Sequence, residues 1–83
     1  MPEDREWDGW GTDGGMHNVH VSSSGCSAEE AVRRLVQHAR EKYGVALELS
    51  MWRFWVKEVS LMVATRTLHY RVDEDGRLVR VES

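Results

Sequence analysis

Four histidines and one cysteine (His17, His20, His38, His69 and Cys26) are the side chains that could ligate a metal or do acid–base work. His17 and His20 are three residues apart, a spacing that suits a helix or loop but splits them onto opposite faces of a strand. No Cys-x-x-Cys or His-x-x-x-His pair occurs, so the spacing of zinc ligands is missing. Cys26 with a histidine would make a nucleophile and base. One cysteine among scattered histidines does not specify that pair, and a buried, reduced thiol is the simpler expectation. The run Ser22-Ser23-Ser24-Gly25-Cys26-Ser27 precedes a helix start, where backbone N–H groups can meet an anion. It lacks the lysine and the spacing of a phosphate-binding P-loop. The acids of Asp73-Glu74-Asp75-Gly76 read as a solvated turn. The expectation is a chain that is not an enzyme, with no catalytic residues, no metal and no cofactor.

A different chemistry is concentrated in Ser50-Met51-Trp52-Arg53-Phe54-Trp55-Val56. If this stretch is extended, Trp52, Phe54 and Val56 share one face, and Arg53, Trp55 and Lys57 share the other. One indole between two cations can stack a nucleobase while the cations meet phosphates. The same set can be a hot spot for a protein, where Trp and Arg are over-represented. It can also be ordinary packing across a sheet, with the Arg and Lys stems covering the ring. Arg66 and Arg71 come from a later strand-like run. Trp7 and Trp10 stand in an acidic, glycine-rich segment that is otherwise poor in apolar residues, and either dock on the domain or meet a partner. The expected partner-binding set is therefore Arg53, Trp55, Lys57, Arg66, Arg71, Trp7 and Trp10.

The elements that must hold these residues begin after that segment. Residues 1–15 contain four glycines and five acids (Glu3, Asp4, Glu6, Asp8 and Asp13) against Arg5 alone, and read as a flexible tail. Residues 16–83 read as one domain. Around His17 to Val21 the residues alternate, as in a half-buried strand that ends at Ser22–Gly25. Ser27 to Gly44 reads as a helix. Ser27 and Glu30 are placed as a capping box, and Ala28, Ala31, Val32, Leu35, Val36, Ala39 and Tyr43 form its apolar stripe. Gly44 stops it.

Val45, Leu47 and Leu49 alternate next, but from Trp52 the apolar positions change parity. A strand cannot keep one buried face through such a slip. A bulge near Ser50, a strand covered on both faces, or a helix over residues 51–63 would each explain it. Ser60 to Val72 reads as a strand, with Met62, Ala64, Leu68, Tyr70 and Val72 on one face and Val63, Thr65, Thr67, His69 and Arg71 on the other. Asp73–Gly76 then turns into a last strand, Arg77 to Glu82. The order strand-helix-strand-strand-strand predicts an α+β two-layer sandwich, with one helix packed on a mainly antiparallel four-stranded sheet.

Composition narrows the partner. The net charge is −3 over 83 residues. Residues 1–15 net −4, which leaves the remainder near +1, unlike the strongly basic footprint of a general nucleic-acid binder. No apolar run approaches the roughly 18 residues of a membrane span. The acidic N-terminus is the reverse of a secretory signal, so a cytoplasmic location is expected. Arg far exceeds Lys, as in GC-rich bacterial or phage genomes. A domain this small buries only about 60% of its unfolded surface, which favours a homodimer or another protein contact. The expected function is a small non-catalytic protein-binding module, an accessory subunit or inhibitor of the kind phages carry. The alternative is a nucleic-acid-binding domain using the Arg, Lys and Trp of the exposed sheet face.

Overall fold

The computed structural model describes residues 5–44, 48–59 and 66–81. Its elements are β1 (Arg5–Thr12), β2 (Asn18–Cys26), α1 (Ala28–Tyr43), a 3-10 turn (Leu49–Met51), β3 (Arg53–Val59), β4 (Thr67–Val72) and β5 (Leu78–Val81). The strands form one antiparallel sheet in the spatial order β2-β1-β3-β4-β5. The α+β architecture with a single helix layer is as expected, but the sheet has five strands rather than four. The added strand is β1, from within the segment whose composition reads as a tail, and it lies between β2 and β3.

The reason lies in the alternation of Trp7, Gly9 and Gly11 with Glu6, Asp8, Trp10 and Thr12. The glycines occupy helix-facing positions because nothing larger fits there. A Cβ on Gly9 would lie 2.6 Å from Leu35 Cδ1 and 3.2 Å from Val56 Cγ1. One on Gly11 would lie 2.7 Å from the Phe54 ring. Glycine here provides clearance for α1 and for the Phe54 ring. Trp7 plugs the core at the start of the strand, 3% exposed, and its ring N–H donates to the Cys26 carbonyl at 2.9 Å.

The Ser22–Gly25 run does not end β2, which continues to Cys26. Trp7 lies opposite Ser23 while Arg5 lies opposite Cys26, so β2 carries one extra residue, a bulge. Gly25 supplies its left-handed backbone, with φ +67. The bulge changes parity, so that Cys26 follows Val19, Val21 and Ser23 into the core.

Ser27 caps α1 by accepting the Glu30 N–H at 3.2 Å. Ala31, Val32, Leu35, Val36 and Ala39 are its buried stripe. At the other end Gly44, with φ +103, donates its N–H to the Arg40 carbonyl at 2.8 Å. The helix packs on β2, β1 and β3.

The parity change before Trp52 is made by the 3-10 turn. Leu49 and Trp52 are both buried across it, and Phe54 and Val56 continue inward from Trp52. Residues 53–59 are strand, not helix. Residues 45–47 and 60–65, which carry the expected strand starts, lie outside the described residues. The β4–β5 turn is as expected: the Asp73 carboxylate accepts the N–H groups of Asp75 at 3.0 Å and Arg77 at 2.8 Å. No helix among the described residues is long and apolar enough to cross a membrane.

Candidate interaction face

Strand alternation sends every second side chain away from α1. On β1 these are Glu6, Asp8, Trp10 and Thr12, and on β2 they are His20 and Ser22. On β3 they are Arg53, Trp55, Lys57 and Val59. β4 contributes Thr67, His69 and Arg71, and β5 contributes Val79 and Val81. Register then aligns them in rows across the sheet. Trp10 is opposite His20 on one side and Trp55 on the other. Trp55 is opposite His69, and His69 is opposite Val81. One residue from each of the five strands thus falls in a single transverse row.

The rings in that row stand face to face. Trp10 and His20 have centroids 5.0 Å apart and planes 11° apart. Trp10 and Trp55 are 6.2 Å and 17° apart, and Trp55 and His69 are 6.5 Å and 30° apart. Such pairs contribute about 0.5–1.5 kcal/mol each beyond the area they bury. The inner rings turn their faces toward one another. Trp10 and Trp55 are half-buried and the two histidines at the ends of the row are exposed.

The flanks of the row differ in charge. On one side Arg53 lies opposite Thr12 and Arg71 opposite Val79. Continuing the Phe54–Tyr70 pairing by one step sets Arg53 against Arg71. Among the described residues neither arginine has an ion-pair partner. On the other side Asp8 lies opposite both Ser22 and Lys57. Its carboxylate accepts the Ser22 hydroxyl at 2.6 Å and lies 3.8 Å from His20 Nε2.

Of the residues picked from sequence, the fold brings together Trp10, Arg53, Trp55, Lys57 and Arg71. It separates two. Trp7 is three residues from Trp10, so on a strand it points the opposite way, into the core. Arg66 precedes β4 with the parity of the helix-facing residues, and its Nε donates to Glu58 Oε2 at 3.1 Å. Glu58 also holds Arg5 at 3.0 Å. His20 and His69 also belong to the face, outside the set expected from sequence. The signal for His69 was its parity with Arg71, and for His20 its position opposite Val19 and Val21.

The loop joining β1 to β2 is built on Asp13. Its carboxylate lies 2.7 Å from His17 Nδ1 and accepts the Gly15 N–H at 2.8 Å. The hydrogen bond to His17, with the Gly15 N–H behind it, holds the Asp13 carboxyl below its ordinary value of 3.8. The His17 ring in turn packs edge-on to Tyr43, with centroids 4.5 Å apart. This cluster fixes the hairpin that carries Trp10 and His20.

Among the described residues no group of three or more His, Cys, Asp or Glu side chains could hold a metal ion. The face can offer apolar ring edges, guanidinium planes and a few hydroxyls, which is the chemistry of a contact surface. Comparison of the chain with protein-family models, with curated proteins and with solved structures gives no match.

Proposed function

We propose that this protein is a non-catalytic protein-binding module, an accessory subunit or inhibitor, that engages its partner with the open face of the sheet. The observation that carries the reading is the row His20–Trp10–Trp55–His69, which lies on the sheet face opposite α1, with no described element packed over it. Trp and Arg dominate binding hot spots because they combine large rigid area with polar edges. Here two tryptophans held by their neighbours are flanked by Arg53, Arg71 and Lys57, so little conformational entropy is lost when a partner covers them.

The ring arrangement favours a protein over a single nucleic-acid strand. Base stacking needs a free aromatic face, and the tryptophan faces are turned toward neighbouring rings. Phosphate neutralisation needs several cations on one surface, and Glu6 and Asp8 offset part of the positive charge. A second copy of the chain is the competing occupant of this face, and light scattering across a concentration series distinguishes it from another protein.

The test compares native protein with Trp55→Ala and Trp10→Ala as immobilised bait in cell extract, with and without nuclease. The expected result is a discrete protein retained by the native bait, lost from both variants and indifferent to nuclease. Retention by both variants, or loss on nuclease treatment, contradicts the reading.

A further inference from the structure

At one end of the open face, the aromatic row meets a concavity of 530 Å³ lined by Met51, Trp52, Arg53, His69, Arg71 and Val81 among others. Its charge is one-sided. Continuing the Phe54–Tyr70 pairing by one step sets Arg53 against Arg71, and like charges directly opposite one another on neighbouring strands are destabilising. Three arginines have a carboxylate: Glu58 holds Arg5 at 3.0 Å and Arg66 at 3.1 Å, and Glu29 holds Arg33 at 2.7 Å, while among the described residues no ion pair holds Arg34, Arg40 or Arg77. No described acid does this for Arg53 and Arg71.

The walls beside the two guanidiniums are apolar. Met51 on the 3-10 turn is 70% exposed and Val81 on β5 is 42% exposed. Both are large hydrophobic side chains left in contact with solvent at the rim of one cavity. Trp52 also lines the cavity but is 2% exposed, and so offers no ring face to a nucleobase.

We propose that Arg53 and Arg71 anchor a carboxylate-recognition pocket, which takes an Asp or Glu side chain of a partner polypeptide with an adjacent apolar side chain seated against Met51 and Val81. The proposal rests on the protein-binding reading of this face and specifies what the partner must carry. Two guanidiniums on adjacent strands can share one carboxylate through charge-assisted hydrogen bonds in the planar geometry that arginine favours. The bound charge also removes their mutual repulsion. A free phosphate would use the two cations but leave Met51 and Val81 uncovered. A polypeptide segment satisfies both halves of the cavity. His69 lines the pocket and stacks on Trp55, so occupancy should be visible in tryptophan fluorescence.

The probe is a displayed library of random peptides panned against native protein, Arg53→Gln, Arg71→Gln and Arg40→Gln. Arg40 is an exposed cation on α1, away from this face. Peptides enriched on the native protein are then synthesised in acid form and with Asn or Gln in place of the acid, and titrated by tryptophan fluorescence. The expected result is enrichment of Asp or Glu beside Leu, Met or Phe. Affinity should fall about tenfold or more on amide replacement and in each arginine variant, as loss of a charge-assisted pair implies. Arg40→Gln should change it far less. Enrichment without an acidic residue, equal binding of acid and amide forms, or displacement of the peptide by inorganic phosphate at the peptide's own concentration overturns the pocket. Acid-free peptides that bind native protein but not Trp55→Ala would remove the pocket and leave the protein-binding face standing. No enriched peptide, together with a Trp55→Ala bait that captures as native, removes both.

Discussion

Replacing Gly9 by alanine adds one carbon where β1 passes under α1. That carbon would lie 2.6 Å from Leu35 Cδ1 and 3.0 Å from Leu35 Cγ, whereas carbon atoms rest about 3.5–4.0 Å apart. Leu35 is fully buried and Val56 Cγ1 would lie 3.2 Å from the same carbon, so neither neighbour has much room to turn away. Overpacking of this kind costs about 1–3 kcal/mol. Alanine also restricts the unfolded chain, which returns about 0.4–1 kcal/mol. The expected net loss therefore lies between about 0 and about 2.6 kcal/mol and centres near about 1.3 kcal/mol, or roughly 5–10 °C in Tm for a domain of this size.

Urea denaturation should show a lower midpoint with an unchanged slope. Gly15→Ala is the control. Gly15 has an ordinary backbone conformation and its nearest neighbour would be Asp13 Oδ1 at 3.4 Å, so its change should stay within about 0.5 kcal/mol. Leu35→Val shortens the obstructing side chain and should relieve the Gly9→Ala loss by at least about 0.5 kcal/mol in a double-mutant cycle. A Gly9→Ala protein as stable as native, with no coupling to Leu35→Val, would refute the placement of β1 beneath the helix and with it the position of Trp10 on the face.

Two further outcomes are expected. Ser23 Oγ is buried with no hydrogen-bond partner among the described residues, so Ser23→Ala should be neutral or stabilising by up to about 1 kcal/mol in the same assay, and a clear loss would mean that the hydroxyl has a partner. Asp13 has a lowered carboxyl pKa in the fold, so its contribution is present above the ordinary value of 3.8 and is lost as pH falls through the lowered one. Urea midpoints of native protein and Asp13→Asn should therefore differ near neutral pH and converge in acid; a constant gap across that range would contradict the His17 pairing.

Much of the fold is legible in local pattern. Ser27, the apolar stripe from Ala28 to Tyr43 and Gly44 delimit α1, and Asp73–Gly76 marks the last hairpin. The alternation that puts Arg53, Trp55 and Lys57 together is local too, as is the parity of His69 and Arg71. β1 is not legible in this way. Its inward positions are Trp7, Gly9 and Gly11, and glycine has the same composition whether it frees a chain or makes room for a neighbour. The clash that demands glycine involves Leu35, Val56 and Phe54, which are far away in sequence. Once β1 is read as a tail, the row of rings cannot be assembled, because Trp10 supplies the link between His20 and Trp55. The bulge at Gly25 and the 3-10 turn at Leu49–Met51 are parity changes that tertiary burial selects and local propensity does not announce. Trp7 and Trp10 look alike in sequence, and strand geometry alone sends one into the core and the other onto the face.

A protein seated on the sheet face opposite α1 can be trapped there covalently. The most direct measurement is site-specific photo-crosslinking in cells, with a photoreactive phenylalanine analogue at Lys57 on that face or at Gln37, exposed on the helix. The expected result is a discrete protein adduct from position 57, suppressed by excess native protein but not by excess Trp55→Ala, and none from position 37. An adduct only from position 37, or one from position 57 that consists of nucleic acid, would contradict it.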